Sequence, residues 1–257
     1  MADMIPSGKG VVRKMNETVY DPDFFKSQQE GSRKSACEIV PILLDLINPE
    51  SVIDIGCGTG AWLSVFKDLG VREILGVDGD YVNEDMLQIP KENFRKHDLA
   101  AFFSSGKQYD LVVSLEVGEH LPHASAETYV NTLVSHGDAV LFSAAIPYQG
   151  GKNHINEQWP GYWAELFNKK GFVAVDCIRK QVWENAHVQW WYAQNTLLYV
   201  REEALSRYAS LKDYQPSESD SLSLVHPRLY LHLAKDFFGD DGYKDGYIIG
   251  KKFTPRI

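Results

Sequence analysis

The chain has 257 residues, of which 44% are hydrophobic and 24% are charged, so it is long enough and apolar enough to bury a large core. Its 35 acidic and 26 basic residues give a formal net charge of −9, which argues against a nucleic-acid partner because a phosphate backbone would be repelled. No apolar run could span a bilayer, and residues 1–14 lack the apolar core of a signal peptide. The three cysteines have neither zinc nor disulfide spacing. Together these features predict a cytoplasmic protein without membrane contact.

The first predicted element is a helix over residues 21–48. Ser35 and Glu38 have the spacing of a capping box, in which a serine begins a helix and a glutamate three positions later closes its first turn. The apolar residues that follow recur at helical intervals along one face: Ile39, Leu43, Leu46 and Ile47. This pattern predicts an amphipathic helix at the start of the domain.

Short apolar runs then alternate with helical segments. The runs predict strands over residues 51–55, 74–78, 94–98, 109–115, 139–145, 173–178 and 196–200. The intervening helices are predicted over residues 61–69, 124–136 and 159–169, the last of them ending at Gly171. Alternating strands and helices are typical of a doubly wound α/β fold, so we expect a mostly parallel seven-stranded sheet with helices on both faces.

The end of the chain has a different character. Residues 216–221 read Pro-Ser-Glu-Ser-Asp-Ser, a composition typical of a linker, and a helical stretch follows near residues 227–237. We therefore place the main domain at residues 1–203 and interpret residues 204–257 as a C-terminal appendage, or tail.

A glycine-rich loop is the strongest functional signal. The strand over residues 51–55 runs into three glycines at alternate positions, Gly56, Gly58 and Gly60, and then into a helix. Glycines let the backbone turn tightly and let a ligand approach the peptide groups closely. Asp78 ends the next strand, 18 residues after Gly60, where a carboxylate can accept hydrogen bonds from both hydroxyls of a ribose. This arrangement predicts a site for a cofactor that contains a nucleoside.

Four motifs, in this order, resemble the class I S-adenosylmethionine-dependent methyltransferases. They are Asp54-Ile55-Gly56-Cys57-Gly58-Thr59-Gly60, Gly76-Val77-Asp78, His97-Asp98-Leu99 and Glu116-Val117-Gly118-Glu119-His120, within roughly residues 50–200. The resemblance implies a Rossmann-like fold and S-adenosylmethionine as the cofactor. The alternative is a dehydrogenase-like nucleotide fold, whose glycines would be spaced G-x-G-x-x-G.

The resemblance also implies roles for individual residues. The glycine loop would hold the methionine part of the cofactor, Asp78 the ribose, and Asp98 with Leu99 would flank the adenine. The complete predicted cofactor set is Asp54, Gly56, Cys57, Gly58, Gly60, Asp78, Asp98, Leu99 and Glu116. N-terminal segments cover the cofactor in this family, so we expect the helix at about residues 20–48 to act as a lid through Tyr20, Phe24 and Phe25.

Acidic residues and histidines follow two neighbouring strands. Glu116, Glu119 and His120 come directly after the fourth strand, and if a helix begins there, their i, i+3, i+4 spacing places them on one face. His154 lies in the loop after the fifth strand, which opens at the same edge of the sheet. Two carboxylates and two imidazoles suit a divalent cation such as Mg²⁺, Mn²⁺ or Fe²⁺. These four residues form the predicted metal site.

The same residues allow an interpretation without a metal. The pattern E-x-x-E-H with a later H-x-x-E-x-W resembles the small-RNA 2′-O-methyltransferases, whose metal binds substrate hydroxyls, and ubiquinone-biosynthesis O-methyltransferases share its first half. Similar patterns also occur in class I methyltransferases that use no metal, so His154 could be a metal-free general base or a structural residue. The predicted catalytic residues are His154, Glu119 and His120.

Aromatic residues predict the acceptor pocket. A cluster of them could wall a pocket for a ring, or could simply pack in the core. Residues 154–160 and 191–195 also resemble bacterial methyltransferases of surface-glycan and secondary-metabolite pathways, which implies a hydroxyl acceptor on a polar small molecule. The predicted substrate residues are Trp159, Trp190, Trp191 and Tyr192.

These observations predict an S-adenosylmethionine-dependent O-methyltransferase that acts on a hydroxyl of a small molecule such as a glycan or secondary metabolite. Three alternatives remain: an N-methyltransferase of a small-molecule amine, a nucleic-acid 2′-O-methyltransferase, and a protein with this fold that binds the cofactor without catalysis. No sequence feature specifies an oligomeric state.

Overall fold

A computed structural model describes residues 22–238 and two short strands further on, with side chains described from residue 30 to residue 235. Seven strands form the main sheet: β1 (Ser51–Ile55), β2 (Glu73–Asp78), β3 (Phe94–Lys96), β4 (Leu111–Leu115), β5 (Ala139–Ser143), β6 (Phe172–Val175) and β7 (Leu197–Arg201). The helices are α1 (Pro22–Leu46), α2 (Ala61–Asp68), α3 (Ala126–Val134), α4 (Pro160–Asn168), α5 (Arg179–Val182), α6 (Trp190–Asn195) and α7 (Pro227–Phe238). The strands β8 (Tyr247–Ile248) and β9 (Lys251–Lys252) pair with each other.

The strand order in the main sheet is β3-β2-β1-β4-β5-β7-β6, and β7 alone runs antiparallel to its neighbours in this sheet. The predicted doubly wound, mostly parallel seven-stranded sheet is therefore confirmed. The chain moves outward from β1 in one direction and from β4 in the other. Ligands bind in such folds where the order reverses, at the carboxyl ends of the strands. The glycine loop after β1 and Glu116 after β4 both lie at this crevice.

The two faces of the sheet are each covered by an apolar cluster. Along β1, Val52 packs into the cluster with α1 and α2, and Ile53 packs into the opposite cluster with α3 and α4. Strand residues alternate between the faces, so a strand buried on both sides is apolar at most positions. This burial explains the mostly apolar runs from which the strands were predicted, and the buried polar exceptions include Asp54 and Ser114.

The helix α1 begins earlier than the capping box indicates. It starts at Pro22, and Ser35 lies inside it with its hydroxyl donating a hydrogen bond to the Gly31 carbonyl at 2.8 Å. The capping-box prediction is therefore wrong, because a serine inside a helix can bond back to the preceding turn.

The described part of the predicted lid is a core helix. The side chains of Ala36, Ile39 and Leu43 are completely buried, so residues 30–46 form part of the domain core rather than a movable cover. The residues on which the lid prediction rests, Tyr20 and the side chains of Phe24 and Phe25, lie outside the described residues.

The segment after β7 packs closely on the domain instead of leaving it. The side chains of Ala204, Leu211, Leu222 and Leu229 are buried. In the predicted linker, the backbone N–H of Ser217 donates to the carbonyl of Ala174 on the edge strand β6 at 2.8 Å. The linker prediction is wrong, because this segment satisfies a backbone group of an open sheet edge.

Across the described residues, no helix is both long enough and apolar enough to cross a membrane.

Candidate active site

The glycine loop adopts a backbone that only glycine accommodates easily. Gly56, Gly58 and Gly60 have φ angles of 95°, 54° and 83°, all in the left-handed region. At Gly56 a Cβ atom would also lie only 2.3 Å from a methyl carbon of Val117, the residue that follows Glu116. The loop after β1 and the loop after β4 are therefore packed directly against each other.

Asp78 joins the glycine loop to the end of β2. Its carboxylate accepts hydrogen bonds from the backbone N–H of Gly58 at 2.6 Å and of Gly79 at 2.7 Å, and from the hydroxyl of Tyr81. A carboxylate offers about four acceptor positions, so three are in use. Two ribose hydroxyls could both bind only if the Tyr81 hydroxyl moved away, and the Tyr81 side chain is 78% exposed.

The other predicted cofactor residues flank this loop. Burial, and then the charge of Asp78, raises the pKa of the Asp54 carboxyl well above its usual value. The side chains of Cys57 and Leu99 are buried, whereas Asp98 is exposed and accepts a hydrogen bond from the Ala100 N–H at 3.0 Å. Leu99 is a member of the apolar cluster with α3 and α4, and its predicted contact with the adenine stays a prediction.

Glu116 is held by two amide side chains that sequence reasoning missed. Gln149 donates to its carboxylate at 2.9 Å and Asn195 donates at 3.1 Å. Burial raises the pKa of Glu116, and the hydrogen bonds from Asn195, Ser143 and Gln149 act in the opposite direction. Its backbone has a left-handed φ of 55°, which is uncommon for a residue with a side chain.

The amide network continues to the C-terminal segment. Gln194 donates to the side-chain oxygen of Gln149 at 3.2 Å and accepts from the backbone N–H of His226 at 2.8 Å. A signal was present in the sequence, because Gln194 and Asn195 are two neutral amides in an otherwise apolar stretch before β7. Buried amides need partners, so such a pair indicates a polar network.

Glu119, His120 and His154 form a compact cluster in which one donor atom from each lies within 4.8 Å of the others. The sequence argument placed these residues on one face on the condition that a helix begins there, and the structure has a 3-10 turn over Gly118–His120 at this point. Glu116 precedes this turn and lies outside this group of three, but its carboxyl interacts with that of Glu119 and with the charge of His154, so its place among the metal ligands stays a prediction.

Among the three residues of the cluster, Glu119 is unusual because its carboxylate is buried. Its side chain is completely buried, and neither oxygen has a hydrogen-bond partner within the described part of the chain. Burial, and then the charge of Glu116, raises the pKa of Glu119 well above its usual value, and the backbone N–H groups of Glu119 and Ala145 offset only part of this. Burying a carboxylate without a partner is costly, so this position favours a cation or a proton beside it.

The two histidines lie at the open side of this carboxylate. Their ring centroids are 4.8 Å apart with the rings nearly perpendicular. Desolvation of its ring, and then the neighbouring His154, lowers the pKa of His120. The N–H groups of Ile155 and Asn156 donate to the backbone carbonyl of Glu119 at 2.9 and 3.0 Å, which fixes the loop that carries His154 against the turn.

The predicted substrate residues fall into two groups. Tyr192 belongs to the core: it is 6% exposed, and its ring packs edge-on against Trp62 with centroids 5.2 Å apart. Burial raises the pKa of Tyr192 to about 12. Trp190 and Trp191 are half-buried, whereas Trp159 is 44% exposed on the loop of His154. The core alternative therefore applies to Tyr192, and Trp159 is free to contact an acceptor.

This division predicts opposite outcomes for two variants. Tyr192→Ala is expected to lower the free energy of unfolding by about 3–5 kcal/mol because it empties a core position. Trp159→Ala is expected to unfold like the wild type but to turn over its acceptor more slowly. Denaturant unfolding and initial rates measure both effects, with Tyr192→Phe as the matched control. A Tyr192→Ala protein as stable as the wild type would contradict the core assignment.

The reversal point of a doubly wound sheet, a glycine loop with the spacing G-x-G-x-G and a carboxylate at the end of the next strand together fit the class of S-adenosylmethionine-dependent methyltransferases. A family model described as a methyltransferase domain matches residues 28–196, more than half of the chain. The chain belongs to this methyltransferase family, and S-adenosylmethionine is its cofactor.

Individual relatives match shorter parts of the chain than the family model does. The chain is 31% identical over 103 residues to a ribosomal protein L11 methyltransferase of Thermotoga petrophila, and the match spans 37% of each protein. Among solved structures, the methyltransferase domain of bacterial CtHen1 is 21% identical, with a TM-score of 0.48 over 65% of this chain and 97% of that one. A SAM-dependent methyltransferase from Archaeoglobus fulgidus is 22% identical, with a TM-score of 0.46 over 59% of this chain and 75% of that one.

Proposed function

We propose that this chain is an O-methyltransferase that transfers the methyl group of S-adenosylmethionine to a hydroxyl of a polar small molecule. The cluster of Glu119, His120 and His154 is the observation that carries this proposal. The Val117 side chain lies between the turn of Glu119 and the glycine loop at Gly56, so the cluster is beside the cofactor site. An amine attacks readily in its neutral form, whereas a hydroxyl must lose a proton, and only the hydroxyl needs such a group of bases.

The cluster also fits a divalent cation. Two ligand atoms at about 2.1 Å from one ion are at most about 4.2 Å apart. The donor atoms here lie within 4.8 Å of one another, so small side-chain rotations would bring them to a common point. The Glu119 carboxylate, buried without a hydrogen-bond donor, is the kind of group that a cation would compensate. We therefore propose that Glu119, His120 and His154 hold Mg²⁺, Mn²⁺ or Fe²⁺.

The reaction assigns a task to each part of the site. The bond between sulfur and the methyl carbon breaks, a bond between the acceptor oxygen and that carbon forms, and the hydroxyl proton leaves. In a cluster without a cation, His154 is the group placed to receive that proton. A divalent cation held by Glu119, His120 and His154 would instead bind the acceptor oxygen and lower the pKa of its hydroxyl, and the proton would leave to water. The glycine loop and Asp78 hold the cofactor so that the methyl group faces the acceptor.

Transfer to a panel of acceptors tests the proposal. The full chain is incubated with ¹³C-methyl S-adenosylmethionine and with sugars and hydroxylated metabolites, each paired with an amine analogue of the same skeleton. We expect O-methyl products, identified by the carbon chemical shift, and their loss in His154→Ala. A control variant with an exposed charge removed, Glu165→Ala, should retain activity. Methylation of the amines alone would overturn the proposal.

A further inference from the structure

One carboxylate organises the whole loop that carries His154. Glu157 accepts hydrogen bonds from the backbone N–H groups of Tyr148 and Gly150, both at 2.8 Å. It also lies 2.9 Å from Nδ1 of His154, and the side chains of His154 and Glu157 are only 13% and 18% exposed. Glu157 thus binds the beginning of the loop and its histidine together.

The loop needs such support because its backbone is strained. Tyr148 has a left-handed φ of 67°, which a residue with a bulky side chain rarely adopts, and Asn153 has a left-handed φ of 61°, which asparagine tolerates better. Conformations of this kind persist when surrounding contacts hold them, and they cluster at functional sites. Here the contacts that hold the loop converge on Glu157.

The contact with Glu157 determines which nitrogen of His154 carries the proton. A carboxylate only accepts hydrogen bonds, so Nδ1 must be the donor. In a neutral imidazole the other nitrogen, Nε2, then has a free lone pair. That lone pair is what a base or a metal ligand requires.

The backbone of Gly151 lies against the Nε2 side of the His154 ring, where only a glycine leaves room. A Cβ atom built on Gly151 would lie 2.2 Å from Nε2 of His154, so any larger residue would press on this nitrogen. The His120 ring stands edge-on to the His154 ring with centroids 4.8 Å apart. Glu119 completes the same group of donor atoms. Because Nδ1 is bound to Glu157, Nε2 is the ring nitrogen of His154 that remains to act toward Glu119 and His120.

We infer that Glu157 is a positioning residue that holds His154 with its proton on Nδ1 and its Nε2 lone pair directed to the Glu119–His120 side. The catalytic consequence of this arrangement rests on the proposed function of His154. The arrangement itself is a property of the loop and can be measured without an acceptor.

Nitrogen-15 NMR of the histidine rings, recorded on the full chain at about pH 8.5, tests the inference. The chain has eight histidines, so the signal of His154 is identified by its absence in His154→Asn. We expect the Nδ1–H tautomer in the wild type and in the control Glu165→Ala. Glu157→Gln should keep it, because an amide oxygen still accepts from Nδ1, and Glu157→Ala should show a mixture of tautomers.

Binding of Mn²⁺, followed by electron paramagnetic resonance, gives a second readout. Removal of the group that orients a histidine ligand weakens metal binding by about 10–100-fold, and this loss is expected in Glu157→Ala. Gly151→Ala should weaken binding while keeping the tautomer, because its methyl group meets Nε2. Gly150→Ala is the matched control, since Gly150 also has a positive φ, of 71°, but no atom lies within 4 Å of its Cβ position.

The outcomes separate this inference from the proposed function. If the His154 tautomer in Glu157→Ala is the same as in the wild type, the inference is overturned, independently of the result of the Mn²⁺ binding measurement. If the wild type binds no Mn²⁺ yet the tautomer changes as expected, the positioning role of Glu157 stands and only the proposed cation is rejected.

Discussion

Replacing Asp78 with alanine is expected to weaken the binding of S-adenosylmethionine by about 30- to 700-fold. The carboxylate would hold the ribose by two charge-assisted hydrogen bonds, whose loss costs roughly 2–4 kcal/mol. The same variant removes the acceptor for the N–H groups of Gly58 and Gly79, so part of the loss reflects a less ordered glycine loop. Titration calorimetry with the cofactor and its demethylated product measures the effect.

Neighbouring variants make this test specific. Asp80→Ala removes an exposed negative charge from the same turn and should leave affinity almost unchanged. Tyr81→Phe should bind the cofactor at least as tightly as the wild type, because it removes the hydroxyl that competes for the carboxylate of Asp78. Unchanged affinity in Asp78→Ala would show that the ribose is bound elsewhere.

Chelation of divalent cations is expected to abolish methyl transfer, by at least about 100-fold, and added Mn²⁺, Mg²⁺ or Fe²⁺ should restore it. The physical reason is the buried Glu119 carboxylate, which has no hydrogen-bond partner within the described residues. Glu119→Gln should behave like the chelated wild type and should not respond to added metal. His154→Ala should be inactive under both conditions.

A thermal measurement tests the cation without any acceptor. A ligand at about 100 times its dissociation constant stabilises the folded state by about 2.7 kcal/mol, which should raise the melting temperature of the wild type by several degrees in Mn²⁺. Glu119→Gln should show no such rise, whereas the exposed control Glu165→Gln should match the wild type.

Full activity in excess chelator with an inactive His154→Ala would reject the metal and leave His154 as a general base. If both keep full activity, His154 is a structural residue.

Much of the fold followed from local sequence patterns. Strands buried on both faces are apolar at most positions, so β1, β4 and β5 were predictable as short, mostly apolar runs. Strand ends were less predictable: β6 begins at Phe172 and stops at Val175, whereas the predicted strand ran from residue 173 to residue 178. The pairing of Ser217 with the edge of β6 was not predictable, because a polar segment gives no sign of the backbone group that it will satisfy.

The candidate site also has parts that local sequence patterns predict and parts that they do not. The glycine loop and Asp78 were predictable because the left-handed backbone and the proximity of adjacent strand ends are consequences of local spacing. The surroundings of Glu116 were not, because Asn195 lies 79 positions away along the chain. The proximity of Glu116 to Glu119 was predicted on the condition of a helix, and in the structure a 3-10 turn brings the two carboxyl groups together instead.

The sequence by itself therefore determined the sheet, the cofactor loop and the residue types gathered at the carboxyl edge of the strands. These features depend on hydrophobic periodicity and on the conformational freedom of glycine, which act over a few residues. Only the tertiary structure decided which carboxylates are satisfied: Glu116 is bound by amides, Glu157 orients His154, and Glu119 is left buried beside two histidines. Hydrogen-bond partners and burial arise from packing between distant segments, so no local pattern could distinguish these three glutamates.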